Sequence, residues 1–225
     1  MSVWAVVPVK ELKRAKMRLA PALPAEARQA LMLAMIEDVL AALAVVPRLA
    51  GLAVVTVDAA ARRVAVEYGA RIIESGARDG HTGAVAAAAR LLAAEGYPGM
   101  LTLPGDIPLV TPDEIRQLLA AHAQQPAFTI VPSRDARGSN AIICSPPDAV
   151  PLRFGEDSFF PHLAAAEACG IRPTVLRLPG IALDLDTPQD LAAFVRLPSP
   201  TRARAVLGGA IGGQVNDSQR GVGAG

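Results

Sequence analysis

The chain has 225 residues, 52% of them hydrophobic and only 4% aromatic, and its formal net charge is +1. This length fits one domain with a sizeable core of Ala, Val, Leu and Ile, and the hydrophobic content excludes a disordered chain. The near-neutral charge lacks the basic footprint of a protein that binds long nucleic acids, so we expect no nucleic-acid partner.

The cysteines and the apolar runs help to predict the cellular compartment of the protein. Cys144 and Cys169 lie far apart without metal-ligand spacing, which favours two unbridged thiols in a reducing compartment. The first apolar run, residues 3–9, is short and has no basic region before it, so it does not match a signal peptide. No run reaches membrane-spanning length. The sequence therefore predicts a cytoplasmic protein with no membrane partner.

Strand-like and helix-like segments alternate along the chain. Short apolar runs predict strands, and an apolar residue at every third or fourth position predicts helices. The predicted strands are residues 3–9, 52–57, 71–73, 100–103, 128–131, 141–143 and 174–178. The predicted helices are residues 25–46, a segment ending at 68, 84–94, one beginning at 112, 158–169 and 188–196. The alternation predicts an α/β fold of three layers, a mostly parallel, Rossmann-like sheet with helices on both faces.

The composition changes after Leu197. From there the chain is rich in Gly, Ala and polar residues and has no sustained apolar period. We therefore predict one domain over residues 1–197 and a flexible C-terminal tail over residues 198–225.

Two acidic segments at the ends of apolar runs give the strongest functional signal. Asp106 follows the predicted strand at residues 100–103, and ligands of parallel α/β sheets bind at the carboxyl ends of strands. Asp184 and Asp186 alternate with Leu185, so in an extended chain the two carboxylates share one face. Such carboxylates suit Mg²⁺, a hard cation that usually keeps substrate phosphates among its ligands. The pattern indicates an enzyme that handles nucleotide phosphates.

These acids also have structural interpretations. Asp106 could serve only as a turn residue in its Gly-Asp-x-Pro segment. Asp184 or Asp186 could cap the last predicted helix, although Thr187, directly before Pro188, is the better N-cap. At least one of the two acids is then left without a structural task.

A basic loop follows the first predicted strand. A loop in this position is well placed to hold a triphosphate, with Lys as a point charge and Arg as a fork for phosphate oxygens. It is not a Walker A loop, because the glycine spacing and the Lys-Ser/Thr end are missing. A solvated basic turn is the alternative. The cations of this loop are Lys10, Lys13, Arg14, Lys16 and Arg18.

A third group of residues combines small side chains with hydrogen-bond donors. It consists of residues 137–141, Arg-Gly-Ser-Asn-Ala, and residues 154–162. Small residues let the backbone approach an anion closely, and a helix beginning at Ser158 would favour a phosphate or carboxylate. A turn followed by an N-cap is the alternative. His162, one turn later, has at most a supporting role.

In this order, the motifs resemble a family of small guanylyltransferases that make the phosphodiester precursor of the deazaflavin coenzyme F-420. The resemblance runs from Trp4 to about Leu197. Each motif is weak alone, and the ordered set is specific. The segments that carry it are residues 8–10, 15–19, 105–108, 138–141, 154–159 and 184–188.

The resemblance implies a nucleotidyltransferase fold and transfer of GMP from GTP to 2-phospho-L-lactate, phosphoenolpyruvate or 3-phospho-D-glycerate. Its implied catalytic residues are Lys16, Arg18 and Asp106. Its implied nucleotide-binding residues are Pro8, Val9, Lys10, Lys16, Gly80, Thr82 and Gly105. The acceptor would be held by Asn140, Gly155 and Ser158, and Mg²⁺ by Asp106, Asp184 and Asp186. A downstream transferase of the F-420 pathway would be a partner.

One segment departs from the family pattern. Members usually have Gly-Leu-Asn-Ala beside the nucleotide, whereas this chain has Gly-His-Thr-Gly-Ala over residues 80–84. At Thr82 a hydroxyl of shorter reach replaces an amide that both donates and accepts.

Two other functions stay open: a nucleotidyltransferase for a sugar phosphate or the molybdenum cofactor, and a nucleotide-sensing module without catalysis. The Ala- and Leu-rich helix surfaces favour a homodimer.

Overall fold

The computed structural model describes residues 2–155 and 157–209. Over these ranges seven strands form a single sheet. Their bounds are β1 Val3–Pro8, β2 Leu49–Val55, β3 Arg71–Ile73, β4 Gly99–Thr102, β5 Ala127–Pro132, β6 Ser139–Ser145 and β7 Thr174–Val175. The strand order is β3-β2-β1-β4-β6-β5-β7.

Helices connect most of these strands. The α-helices are α1 Ala25–Ala44, α2 Ala59–Glu67, α3 Gly80–Ala94, α4 Pro112–Ala121, α5 Phe159–Ala168, α6 Pro179–Ala182 and α7 Pro188–Arg196. Two short 3₁₀ turns, Leu12–Arg14 and Met17–Leu19, lie between β1 and α1. None of the described helices has the length and apolar character needed to cross a bilayer.

The sheet is mostly parallel, as the alternation of elements predicts. β1 pairs in parallel with β2 and β4, and β2 pairs in parallel with β3. The exception is β6, which runs antiparallel to both β4 and β5. Because of this reversal, β6 begins at the edge of the sheet where β1 and β4 end.

Helices cover both faces of the sheet. Along β1, Val7 packs into a core cluster with Ile36 of α1, and residues of α2 and α4 belong to the same cluster. Its neighbour Val6 points the other way and packs with Val85 of α3. Phe159 of α5 lies in a further cluster with Ile142 of β6. The three predicted layers are therefore present.

Two helix starts carry capping boxes, and the one at Thr187 is the cap that the sequence indicates. Thr111 and Thr187 each form a capping box, with Glu114 and Asp190 respectively, and a proline opens each helix. The capping box at Thr187 leaves both acids of the preceding segment, Asp184 and Asp186, free of that structural task.

The predicted C-terminal tail is wrong for part of its length. Residues 202–209 are helical. Ala203 and Leu207 are buried against Phe194 of α7, and Asp38 of α1 accepts hydrogen bonds from the backbone N–H groups of Arg202 (2.9 Å) and Ala203 (3.0 Å). Two apolar residues one turn apart form too short a pattern to predict this helix from the sequence. Residues 210–225 of the predicted tail lie outside the described residues.

Candidate active site

Two adjoining cavities open at the edge of the sheet where β1 and β4 end. The larger has a volume of about 750 Å³ and the smaller of about 650 Å³. The loops after β1 and β4 contribute to both cavities, and the start of β6 contributes to the larger one. The residues common to the two linings are Lys10, Gly80, His81, Pro104, Asp106 and Asp186.

The Lys16 side chain joins the two acidic segments at this boundary. Its Nζ donates to Asp106 Oδ2 and, over 2.5 Å, to Asp186 Oδ1. Only 4% of the Lys16 side chain is exposed, compared with 45% for Asp186. The Lys16 backbone adopts the left-handed region, with φ at 53°. This conformation is uncommon for a residue with a side chain and costs on the order of 1 kcal/mol or more, which the two ion pairs offset.

The charges of this cluster support one another. Burial alone would lower the pKa of Lys16, but Asp106 and Asp186 together raise it above its ordinary value. Burial alone would likewise raise the pKa of Asp186, and Lys16 and Arg18 bring it below its ordinary value. Lys16 is therefore a fixed positive charge and Asp186 a fixed negative charge at neutral pH.

Asp184 differs from its neighbour in electrostatic environment. Burial and then the charge of Asp106 raise its pKa, although Asn140 Nδ2 donates to its Oδ1 over 3.1 Å. Leu185 between the two acids is fully buried, and Asp184 and Asp186 both line the larger cavity. This confirms the predicted alternation. The Leu185 N–H donates to Asp106 O over 3.0 Å and ties the two acidic segments together.

The acids do not form a finished metal cage. Across residues 2–155 and 157–209, no group of three or more His, Cys, Asp or Glu side chains is arranged to hold a metal ion. The Lys16 ammonium lies between Asp106 and Asp186 instead. One feature nevertheless fits a cation: Asp106 Oδ1 is buried and has no hydrogen-bond partner within the described part of the chain. An unpaired buried carboxylate oxygen is costly unless a ligand meets it.

Most of the expected nucleotide-binding residues lie around the smaller cavity. They are Pro8, Val9, Lys10, Lys16, Gly80 and Gly105. Arg18, expected at the triphosphate, lines the larger cavity instead. A phosphate chain that extends across the shared boundary would pass between these two groups of residues.

Thr82 lies apart from the other expected nucleotide-binding residues. It lines the larger cavity, and its hydroxyl is engaged with the backbone of Phe154. The Phe154 N–H donates to Thr82 Oγ1 over 3.0 Å, and Oγ1 lies 3.4 Å from Phe154 O, to which it donates. Thr82 therefore links the start of α3 to the loop before α5.

The three expected acceptor-binding residues all line the larger cavity. Asn140, at the start of β6, uses its side-chain amide to donate to Ile181 O (3.0 Å) as well as to Asp184. A Cβ at Gly155 would meet no described atom within 4 Å, so the loop is open to the cavity there. Ser158 precedes α5 and donates to Ser139 Oγ over 3.3 Å. The Asn140 side chain thus positions Asp184.

Two histidines at the site were missed or undervalued by sequence reasoning. His81 lines both cavities, its ring lies 4.4 Å from that of Phe154, and burial lowers its pKa to about 4. His162 is 1% exposed and bonds to Ser139 and to the Arg153 backbone. Nothing in the sequence signals these contacts, because each joins residues from separate elements.

Comparisons with known proteins agree on the kind of enzyme. A family model described as "Guanylyl transferase CofC like" matches residues 3–219. A phosphoenolpyruvate guanylyltransferase of Rubrobacter xylanophilus is 40% identical, covering 85% of this chain and 93% of the relative. That of Conexibacter woesei is 36% identical over 91% and 92% of the two chains. A 3-phospho-D-glycerate guanylyltransferase of Colwellia psychrerythraea is 34% identical over 87% and 92%.

A solved structure shows the same fold. A protein of Desulfovibrio desulfuricans G20, described as a nucleotide-diphospho-sugar transferase, superposes with a TM-score of 0.69. The match covers 97% of this chain and 96% of the other at 20% sequence identity. The match confirms the predicted fold class.

Proposed function

The chain belongs to the CofC-like guanylyl transferase family, and from this premise we propose that it transfers GMP from GTP to a phosphorylated three-carbon acid, with release of pyrophosphate. The observation that carries the proposal is the pair of cavities that meet at Asp106 and Asp186. A transfer between two substrates needs two adjoining pockets, so that the reacting atoms of the two bound substrates can meet. Both cavities lie within the usual size range of small-molecule sites.

We assign the donor GTP to the smaller cavity. Lys10 supplies a positive charge at the boundary, and Gly80 at the start of α3 offers a helix N-terminus to an anion. The phosphate chain would then run toward Arg18. Lys16, already held by two carboxylates, lies where the charge on the α-phosphate would be neutralised.

Mg²⁺ fits the acidic side of the boundary. The unpartnered, buried Asp106 Oδ1 and the raised pKa of Asp184 both indicate carboxylate charge that a cation would compensate. We therefore propose that Asp106, Asp184 and Asp186 hold Mg²⁺, with substrate phosphates completing its ligands. When bound, the ion supplies charge neutralisation on the phosphate oxygens.

The acceptor belongs in the larger cavity. Gly155 offers open backbone for a phosphate or carboxylate oxygen, and Ser158 lines the same cavity. In the proposed reaction, a phosphate oxygen of the acceptor forms a bond to the α-phosphorus of GTP. The bond from that phosphorus to the bridging oxygen breaks, and pyrophosphate leaves with the electron pair. The attacking oxygen is already anionic, so the chain's own residues need only position it and neutralise charge.

Among three-carbon acids, phosphoenolpyruvate is the first to test. Relatives of 36% and 40% identity are named for it, and a relative of 34% identity is named for 3-phospho-D-glycerate. The product would be a guanylylated acid of the kind from which coenzyme F-420 is built, passed on to a downstream transferase. Formation of a homodimer stays a prediction.

Pyrophosphate release tests the function directly. The purified protein is assayed with Mg²⁺ and GTP, ATP or CTP, each against phosphoenolpyruvate, 2-phospho-L-lactate, 3-phospho-D-glycerate and a sugar phosphate. We expect release with GTP and one of the three acids, and little release without an acid. Release only with a sugar phosphate would support the alternative acceptor class. Tight GTP binding without release under any acceptor would support the sensing module.

A further inference from the structure

His162 forms two hydrogen bonds beside the larger cavity. Its Nε2 accepts from the Arg153 backbone N–H over 2.9 Å. A ring nitrogen that accepts carries no proton, so in the neutral ring the proton is on Nδ1. Nδ1–H therefore donates to Ser139 Oγ, which lies 2.9 Å away. Burial lowers the pKa of His162 to about 4, which keeps the ring neutral and in this state.

The Ser139 hydroxyl is oriented by these contacts. It accepts from His162 Nδ1–H and from the Ser158 hydroxyl at 3.3 Å. With both lone pairs engaged, its own O–H can add only a donated bond. Ser139 and Ser158 both line the larger cavity. A preset hydroxyl donor at the wall of a cavity suits an anionic oxygen.

The loop before α5 is fixed from two sides. Arg153 N–H is held by His162 from α5, and Phe154 N–H is held by Thr82 from α3. The Phe154 ring lies between the rings of His81 (4.4 Å) and His162 (5.0 Å). Two successive backbone N–H groups are thus engaged with side chains, and Gly155, the next residue, opens to the cavity.

From these contacts we propose that His162 is a positioning residue for the acceptor: it orients the Ser139 hydroxyl as a donor to an anionic oxygen of the phosphorylated acid, and it fixes the loop at Arg153, which precedes the open backbone at Gly155. Ser139 is then an additional acceptor-binding residue. The inference rests on the proposed function, since it assigns the acceptor to the larger cavity. It predicts that substitutions at His162 raise the KM for the acceptor and leave the KM for GTP largely unchanged.

Two substitutions separate the contacts of His162. In His162→Asn the amide nitrogen can take the place of Nδ1 and keep the bond to Ser139, whereas in His162→Gln the amide oxygen can take the place of Nε2 and keep the bond to Arg153. His162→Phe keeps the ring beside Phe154 and loses both bonds. We expect the KM for phosphoenolpyruvate to rise about tenfold or more in His162→Phe, with partial recovery in His162→Asn, because one lost hydrogen bond at a buried group corresponds to roughly tenfold.

The chain offers a matched control. His122 is also buried, with Nδ1 2.8 Å from Thr129 Oγ1 and Nε2 3.0 Å from Ser145 Oγ, and it lies in neither cavity lining. Loss of folding stability alone would affect His122→Phe and His162→Phe alike. The specific role predicts a raised acceptor KM in His162→Phe alone, with the KM for GTP in both variants within about twofold of the parent protein.

The experiment combines kinetics with calorimetric binding of phosphoenolpyruvate to the folded protein in the presence of Mg²⁺ and a non-hydrolysable GTP analogue. Weaker acceptor binding in His162→Phe, partly restored in His162→Asn, supports the inference. A parent protein that turns over while His162→Phe keeps its acceptor KM and affinity overturns the inference and leaves the proposed function standing. A parent protein that neither binds a phosphorylated acid nor releases pyrophosphate overturns both.

Discussion

Lys16 and Asp186 lie 170 positions apart in the chain, and their side chains form an ion pair of 2.5 Å. The same ammonium pairs with Asp106, which follows β4. One buried cation thus joins three separate segments at the boundary of the two cavities. Breaking a buried pair by removing one partner leaves an uncompensated charge, so the pair is sensitive to substitution.

We expect Lys16→Met to lower kcat for GMP transfer by about 100-fold or more, because it removes a preorganised positive charge from the reacting phosphate. The substitution keeps the length of the side chain and leaves Asp106 and Asp186 to repel each other. The measurement is pyrophosphate release at saturating GTP and acceptor. Lys13→Met, an exposed position on the same loop, is the control and should retain activity. Equal loss in both variants would mean that only the loop's net charge matters.

Asp106→Asn tests the proposed Mg²⁺ site. The amide is isosteric but lacks the charge that a hard cation prefers, so we expect kcat to fall about 100-fold or more and the Mg²⁺ concentration for half-maximal rate to rise. Asp113→Asn, at an exposed ion pair on α4, should leave both unchanged. Near-normal turnover of Asp106→Asn in saturating Mg²⁺ would show that Asp106 is not a ligand.

The sequence predicts the layers of this fold well, because each layer follows from local patterning. The alternation of Val6 and Val7 in β1 assigns them to opposite faces, and Thr111 and Thr187 mark two helix starts. The reversal of β6 has no local signal, since an antiparallel strand buried on both faces has the same apolar run as a parallel one.

The sequence predicts which residues form the site better than it predicts the contacts between them. The three expected carboxylates, together with Lys10, Lys16 and Arg18, do gather at the carboxyl ends of the strands. The engagement of Thr82 with the Phe154 backbone, and of Asn140 with Asp184, joins residues that are far apart in the chain. Which of several nearby partners such a side chain selects depends on tertiary packing, and the sequence does not contain that information locally.

Leu207→Ala tests whether residues 202–209 belong to the folded domain. Leu207 is 2% exposed in the cluster that contains Phe194, so we expect the substitution to lower the free energy of unfolding by about 2–4 kcal/mol. Leu197→Ala, at a position 44% exposed, should cost less than about 1 kcal/mol. Urea denaturation of both variants measures the difference. Equal, small effects of the two substitutions would mean that residues 202–209 do not belong to the folded domain.

Stability should depend on pH through three histidines that the folded chain keeps neutral. Burial lowers the pKa of His81, His122 and His162 from 6.5 to about 4 in the folded state. Below pH 6.5 the unfolded chain therefore binds more protons than the folded one, so the free energy of unfolding falls as pH falls toward about 4. The limiting slope is about 1.4 kcal/mol per pH unit for each histidine. Urea denaturation between about pH 7 and pH 5.5, above the range of ordinary carboxylates, measures it.

His122→Asn supplies the check on that pH dependence. This variant lacks one of the three titrating rings and keeps the cavities, so the slope of its unfolding free energy against pH should be shallower by about a third. A slope that matches the parent protein would mean that His122 is not held neutral by burial.

In the proposed reaction, the α-phosphate of GTP passes to a phosphorylated acid across the boundary at Asp106 and Asp186. The most direct measurement follows radiolabel from [α-³²P]GTP and [γ-³²P]GTP in reactions with phosphoenolpyruvate, 2-phospho-L-lactate and 3-phospho-D-glycerate. We predict that the α-label enters a new product that contains the acid and that the γ-label leaves in pyrophosphate. Transfer of the γ-label to the acid or to water, with the α-label retained in GDP, would contradict it.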